Sequence, residues 1–247
     1  MTSVHLVLAG GGHTHSLLLR RWGMKPELRP QGMITLISRN STTLYSAMVP
    51  GLIAGHYRLE ELMIDLRALA NRAGIGLIIA EIIGLDPHQK QVFLRNRPPV
   101  GFDFLSLDVG AETFKKSNSR PIKAATSMPI KPLEPALNWI QAQDIDALSD
   151  NAQPFTVVGA GLAGIEIAFA LRARWPCRQL QLIAKKGQPR PALKRALSAA
   201  GITVMPSVRQ LTGPTLFCTG SQFPEWITSS GLPVDASGRV RTADTLQ

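Results

Sequence analysis

The chain has 247 residues, 45% hydrophobic and 18% charged, with a formal net charge of +10; that is enough for one large or two compact soluble domains. Two cysteines, Cys177 and Cys218, exclude a disulfide scaffold, and their spacing fits no zinc or CxxC site. No apolar run reaches the length of a membrane span, and aromatics at 6% are too sparse for a nucleic-acid stacking platform.

In chain order, "VHLVLAG" reads as a buried strand rather than a signal peptide, because it lacks a basic leader and runs into glycines. A helix over Thr14–Trp22 and a strand "MITLIS" complete a βαβ unit of about 35 residues. A loop of small and turn residues, "RNSTTLYSAMVPGLIAGHYR", follows. "LEELMIDLRALANRAG" has helical periodicity and stops at Gly74. "IGLIIAEIIGLD", "QVFLRN" and "FDFLSLDVG" read as strands, the first two separated by a turn at Asp86-Pro87. Four prolines between 121 and 135 mark a linker, and "ALNWIQAQDIDAL" a linker helix.

The same grammar then repeats. "FTVVGA" is a strand, Leu162–Trp175 a helix, "QLQLIA" a strand and "PALKRALSAAG" a helix, with "ITVMP" and "TLFCTG" as short strands. Between Glu166 and Glu225 there is no acidic residue and there are nine basic ones. This window is either a solvated basic face or a seat for an anionic cofactor, a membrane surface or nucleic acid, and no nucleic-acid motif supports the last.

The glycines carry the chemistry. In a dinucleotide-binding turn the first makes the tight turn, the second lets the backbone approach the diphosphate, and the third lets helix and strand pack closely. Gly159, Gly161 and Gly164 match all three, and Leu162 opens the helix behind them. The first turn has Gly10, Gly11 and Gly12, but His15 stands where the third glycine belongs. A metal at His13 and His15 is disfavoured by their spacing of two on a tight turn without an acidic partner; His15 packs against the sheet or hydrogen-bonds beside the cofactor. Both units lack the acid that usually ends strand two: the first ends "LISRN" and the second "LIAKK", where Lys185 and Lys186 would attract a 2′-phosphate.

Two nucleotide folds in tandem resemble the two-dinucleotide-binding-domain flavoproteins of the pyridine nucleotide-disulphide oxidoreductase superfamily. "HLVLAGGGHTH", "YSAMVPGLIAGHYR", "DFLSLDVG", "IKPLEP" and the segment from "CTGSQFPEW" onward are similar to the NADH-dehydrogenase-like branch associated with selenide, water dikinase in cyanobacteria. The resemblance implies two Rossmann-like three-layer α/β domains with parallel sheets: an FAD-binding domain at 1–120 and an NAD(P)-binding domain with its linker helix at 121–247.

It further implies that Gly10, Gly12, His13 and Thr14 hold the FAD diphosphate. Ser38 and Arg39 would lie at the adenosine ribose, Met48 and Pro50 along the isoalloxazine, and Asp108 and Gly110 in a strand-end segment whose first two positions differ from the family's. Gly159, Gly161, Leu162, Gly164 and Gly220 would belong to the nicotinamide site. Glu166, read as lying on the first helical turn, maps near the nicotinamide or is a plain N-terminal charge, and Lys131 would approach the flavin edge. "YSAMVPG" has no redox cysteine pair, so electrons would leave flavin directly.

The implied activity is an FAD-dependent NAD(P)H oxidoreductase, cytoplasmic or membrane-peripheral, with a small-molecule or quinone acceptor and a selenide, water dikinase module as a partner. In this family the chain would continue past "DTLQ" into a segment closing the FAD site and into a homodimer interface, so the FAD domain reads as incomplete. The alternatives are a non-catalytic nucleotide-binding or partner-docking module and a peripheral type II quinone oxidoreductase.

Overall fold

In a computed structural model that describes residues 4–113, 127–149, 152–185, 187, 189–207 and 213–247, the first apolar run is the strand His5–Ala9. It is the second-to-last member of a parallel sheet ordered Gly76–Ile79, Met33–Ser38, His5–Ala9, Phe104–Leu107. Numbered along the chain this is 3-2-1-4, the order of a mononucleotide-binding half-sheet.

Alternation along the strands serves both faces. Leu8 and Leu36 join Leu19, Trp22 and Leu66 in one core, where the helices His13–Met24 and Leu66–Ala73 cover the sheet. Val7 and Ile37 face the other way, onto Leu85, Val92 and Leu94 of an antiparallel sheet, Ile82–Asp86, Gln91–Leu94 and Arg97–Gly101. The last of these strands, "RPPVG", is an unexpected one. Its consecutive prolines argue against a central strand, and it lies at the edge of its sheet, where missing donors cost little.

The expected helix over 59–74 is divided in three. Leu59–Leu62 is helical, Met63–Asp65 pairs antiparallel with Thr42–Leu44, and Leu66–Ala73 is helical again. Asp65 caps the last piece, its Oδ1 accepting from the Arg67 and Ala68 amides, and Gly74 closes it in the left-handed region (φ 65°).

The second grammar builds a five-stranded parallel sheet, ordered Ser127–Pro129, Thr215–Phe217, Phe155–Val158, Leu180–Ile183, Ile202–Met205. Without its edge strand Ser127–Pro129, it repeats the 3-2-1-4 order. The helix Leu162–Arg174 follows its first core strand, as His13–Met24 does in the first sheet.

Compactness assigns Met1–Tyr45, Met63–Ala111 and Gln222–Gln247 to one unit and Ser46–Leu62 with Glu112–Ser221 to another. The expected boundary at 120/121 falls outside the described residues. In the first unit Trp226, within the short helix Glu225–Ser229, and Leu232, just beyond it, pack on the antiparallel sheet core.

The basic window is partly structural. The Arg178 guanidinium is buried, 4.9 Å from the Trp175 ring and 5.4 Å from Phe155, and donates to the Gln153 and Gln143 carbonyls. Arg172 donates to the carbonyls of Trp175, Pro176 and Gly201. Arg174 grips Asp144 through two nitrogens, at 2.7 and 2.5 Å, and Trp175 Nε1 donates to the same carboxylate at 2.8 Å. Burial pushes Asp144 upward, but the Arg174 and Trp175 hydrogen bonds outweigh it and hold the carboxyl below its usual range.

Candidate functional site

Each half-sheet ends its first strand in a glycine turn at the place where strand order reverses, which is where open α/β sheets bind ligands. The two turns have equivalent geometry. Gly10 (φ 102°) and Gly159 (φ 115°) turn back, their amides donating to Ile37 O at 2.8 Å and Ile183 O at 3.0 Å. A side chain at Gly159 would begin 2.6 Å from the Cys218 carbonyl oxygen, and one at Gly10 would run into the Asp108 carbonyl. The N-caps Gly12 (φ −72°, ψ −178°) and Gly161 (φ −69°, ψ 170°) adopt the same extended conformation.

The second turn has the properties of a diphosphate seat. Nothing lies within 4 Å of where a Gly161 side chain would start, and no acidic residue stands in the first turn of the helix. The exposed helix N-terminus therefore offers unpaired amides and the positive end of the dipole. Gly164 is required by packing, because a Cβ there would collide with the Gly159 carbonyl oxygen and lie 3.3 Å from Cys218 Cβ. Burial pushes the Cys218 thiol up to about 12, so it is an apolar wall rather than a nucleophile.

The remaining second-unit residues group around this turn or apart from it. Ala184 is buried at the end of the strand beside it and Lys185 follows, exposed; Lys186 lies outside the described residues. Leu162 is exposed at 74%, and Gly220 (φ 47°) is exposed beyond the strand Thr215–Phe217. Glu166 is the fifth helical residue, one turn further in than expected, so it is not an N-terminal charge. It lines a cleft of about 430 Å³ with Pro50, Gly51, His56 and Phe169. Met48 is half-buried at the end of the short helix that precedes Val49–Ile53. Lys131 is half-buried just before the helix Leu133–Ala142, not in the cleft lining. His56 is a cleft residue that the sequence reading missed, since a lone histidine in a loop carries no signal of its own.

In the first unit the backbone fits a dinucleotide and one side chain does not. His15, in place of the third glycine, is buried, with Nδ1 2.7 Å from Gly10 O and Nε2 2.9 Å from Ser106 Oγ. Its ring thus braces the turn that Gly164 permits by having no side chain. Desolvation pulls its pKa below the ordinary value, against the Gly10 hydrogen bond and the Asp108 charge.

The Ser38 hydroxyl sits 2.6 Å from where a Gly11 side chain would start, at the strand end where ribose is bound in this fold. Arg39, next in sequence, pairs with Glu81 at 3.6 Å. His13 and Thr14 are exposed at the helix start, His13 edge-on to Tyr45 at 4.7 Å. Gly110 (φ 74°) is exposed with open space around it. Asp108, however, lays its carboxylate across Gly12, Oδ2 only 2.5 Å from where a Gly12 side chain would start, and accepts from the His15 amide at 3.0 Å. The chain's own carboxylate thus lies over the N-terminus of the helix His13–Met24.

This fold is similar to that of solved structures. Reduced CoADR-RHD from Bacillus anthracis superimposes over 100% of this chain and 49% of that one, with a TM-score of 0.82 and 16% identity. At that identity the likeness shows a shared fold. A NAD-dependent persulfide reductase from A. fulgidus shares the fold over 99% of this chain and 51% of its own (TM-score 0.78, 17% identity). In sequence the chain is similar to the NADH dehydrogenase-like protein YutJ of Bacillus subtilis (strain 168), 30% identical over 172 residues, which make up 68% of this chain and 44% of that protein. The chain therefore spans less than half the length of that relative. No family model matches it. Among the described residues no helix is long and apolar enough to cross a membrane.

Proposed function

We propose that the chain is the dinucleotide-binding part of an FAD-dependent NAD(P)H oxidoreductase, with the first unit an FAD-binding and the second an NAD(P)-binding domain. The observation that carries this reading is the unobstructed second turn, whose three glycines and free helix N-terminus suit a nicotinamide dinucleotide diphosphate. The first turn has the matching backbone, with Asp108 seated in it. The redox chemistry, hydride transfer from NAD(P)H to FAD and onward to an external acceptor, is supplied by the cofactors.

The protein's part is to hold them. Gly159, Gly161 and Leu162 place backbone at the nicotinamide cofactor's diphosphate, and Lys185 with Lys186 draws a 2′-phosphate. Ser38 offers a hydroxyl to the FAD ribose. Gly10, Gly12, His13 and Thr14 form its diphosphate turn, while Met48, Pro50 and Lys131 are assigned to the isoalloxazine and Glu166 to the nicotinamide. The names of the persulfide reductase and the NADH dehydrogenase-like relative support a pyridine-nucleotide oxidoreductase without a redox cysteine pair in "YSAMVPG". A quinone or small-molecule acceptor, a membrane-peripheral place and a selenide, water dikinase partner rest on the sequence resemblance alone.

The test is anaerobic titration of the FAD-supplemented chain with NADH and NADPH. Bleaching of the visible flavin band is the expected result. Binding of the nicotinamide without any flavin uptake would reduce the reading to a nucleotide-binding module, which Asp108 in the first seat favours as the second reading.

A further inference from the structure

The two turns are the same device in two states, and one residue position separates them. Asp108 and Cys218 are equivalent: each follows the fourth strand of its 3-2-1-4 sheet, and each donates its amide to the end of the first strand, Asp108 to Ala9 O at 2.7 Å and Cys218 to Val158 O at 2.8 Å. Each also backs the first glycine with its carbonyl oxygen. Their side chains diverge. Cys218 is short and lies by Gly164, leaving Gly161 open. In the first unit the position of Gly164 is taken by the His15 side chain, hydrogen-bonded to Gly10 and Ser106. The Asp108 carboxylate turns instead over Gly12 and accepts from the His15 amide. An acceptor with negative charge, at a helix N-terminus, is what a bound phosphate supplies there.

We propose that Asp108 is an internal substitute for the dinucleotide diphosphate. It holds the first seat closed, and a dinucleotide binds at this turn only when the Asp108 side chain rotates away. This rests on the reading of the first unit as an FAD domain. Its physical content is a competition between anions: carboxylate and diphosphate use the same amides and repel each other, so they do not share the seat. The backbone of Asp108 is fixed by its bond to Ala9, which leaves side-chain rotation as the opening movement. First-unit affinity for an anionic ligand is then set by residue 108 rather than by the glycines.

The experiment uses the full chain and two variants, Asp108→Ala, which empties the seat, and Asp108→Asn, which keeps the shape and removes the charge. Backbone amide NMR follows Thr14 and His15 during titration with inorganic diphosphate, with Leu162 and Gly164 as the internal comparison. In the parent the second-turn amides respond and the first-turn amides do not. In Asp108→Ala both sets respond, and FAD binds on the order of tenfold or more tightly than to the parent, with Asp108→Asn between them.

First-turn amides that titrate as readily in the parent as in either variant, or FAD affinity unchanged or weakened in both variants, would overturn the proposal. If the variants gain diphosphate at the first turn yet no protein binds FAD, Asp108 is the internal anion and the FAD reading fails. If parent and variants bind FAD equally, the FAD reading stands and the Asp108 proposal fails.

Discussion

At residue scale, His15 and Gly164 solve one steric problem in opposite ways. A carbonyl oxygen only accepts, so the proton of His15 sits on Nδ1 toward Gly10, and Nε2 accepts from the Ser106 hydroxyl. Replacing His15 with Ala strands both partners, and the expected loss is about 2–3 kcal/mol of unfolding free energy, read by urea denaturation. The folded pKa is lowered from 6.5, chiefly by burial. The unfolded chain then takes up a proton that the folded one resists. This contribution is complete above pH 6.5 and declines as pH falls through the lowered folded value. His15→Gln should flatten the acid slope of stability between pH 7 and 5; an unchanged slope would show that His15 is not the titrating group. At Gly164 even one methyl meets the Gly159 carbonyl. Gly164→Ala should cost about 1–3 kcal/mol and weaken nicotinamide binding, measured by calorimetry, with the first-turn amides unaffected.

At element scale, the helix Leu162–Arg174 is anchored at its far end by charge. Asp144 gathers Arg174 and Trp175, while Arg178 stacks on Trp175 and Phe155. Asp144→Ala removes an acceptor shared by a guanidinium and an indole, and we expect a loss of about 1–3 kcal/mol in thermal unfolding. The Asp144 pKa is depressed below 3.8. Its contribution is therefore present above that value and lost as pH falls through the lowered one. Asp144→Asn should blunt acid unfolding below about pH 4; identical acid midpoints in parent and variant would remove Asp144 from the account. This network also explains why a window without acidic residues is not simply a solvated face: its arginines are partnered by Asp144 from outside it and by backbone carbonyls both outside and within it. Nothing in local sequence pairs residues thirty positions apart.

At the scale of the whole molecule, duplication of the 3-2-1-4 sheet gives two seats, and their charge differs. In sequence the second neighbouring strand is followed by Lys185 and Lys186, while the first ends at Ser38 followed by Arg39, and Arg39 is already paired with Glu81. Lys185→Glu/Lys186→Glu should remove a preference for NADPH over NADH of roughly tenfold, since an exposed phosphate–ammonium pair contributes on the order of 1 kcal/mol. The preference should shrink with added salt because exposed pairs are screened. Equal NADPH and NADH affinity in the parent at low salt would refute the lysine assignment.

Much of this was determined by local sequence. The strand–glycine–helix pattern needs only neighbouring residues: β-branched runs, glycines with positive φ, and helix formers after them. The second turn was readable for that reason, as were most strands of both parallel sheets; Ser127–Pro129 fell in the segment read as a linker, and Gly76–Ile79 was read as one run with Ile82–Asp86, which joins another sheet. Tertiary structure decided the rest. Periodicity over 59–74 could not show that Met63–Asp65 finds a strand partner in Thr42–Leu44, because pairing energy is non-local. Compactness returned residues 222–247 to the first unit across 110 intervening positions, since Trp226 and Leu232 bury against a distant sheet core. The aspartate at 108 could be seen to depart from the usual small residue. Only the close approach of strand end and helix N-terminus placed its carboxylate on Gly12 and His15, ninety-three residues away in the chain from the amide it caps, where local propensity has no reach and the unpaired helix amides choose the nearest anion.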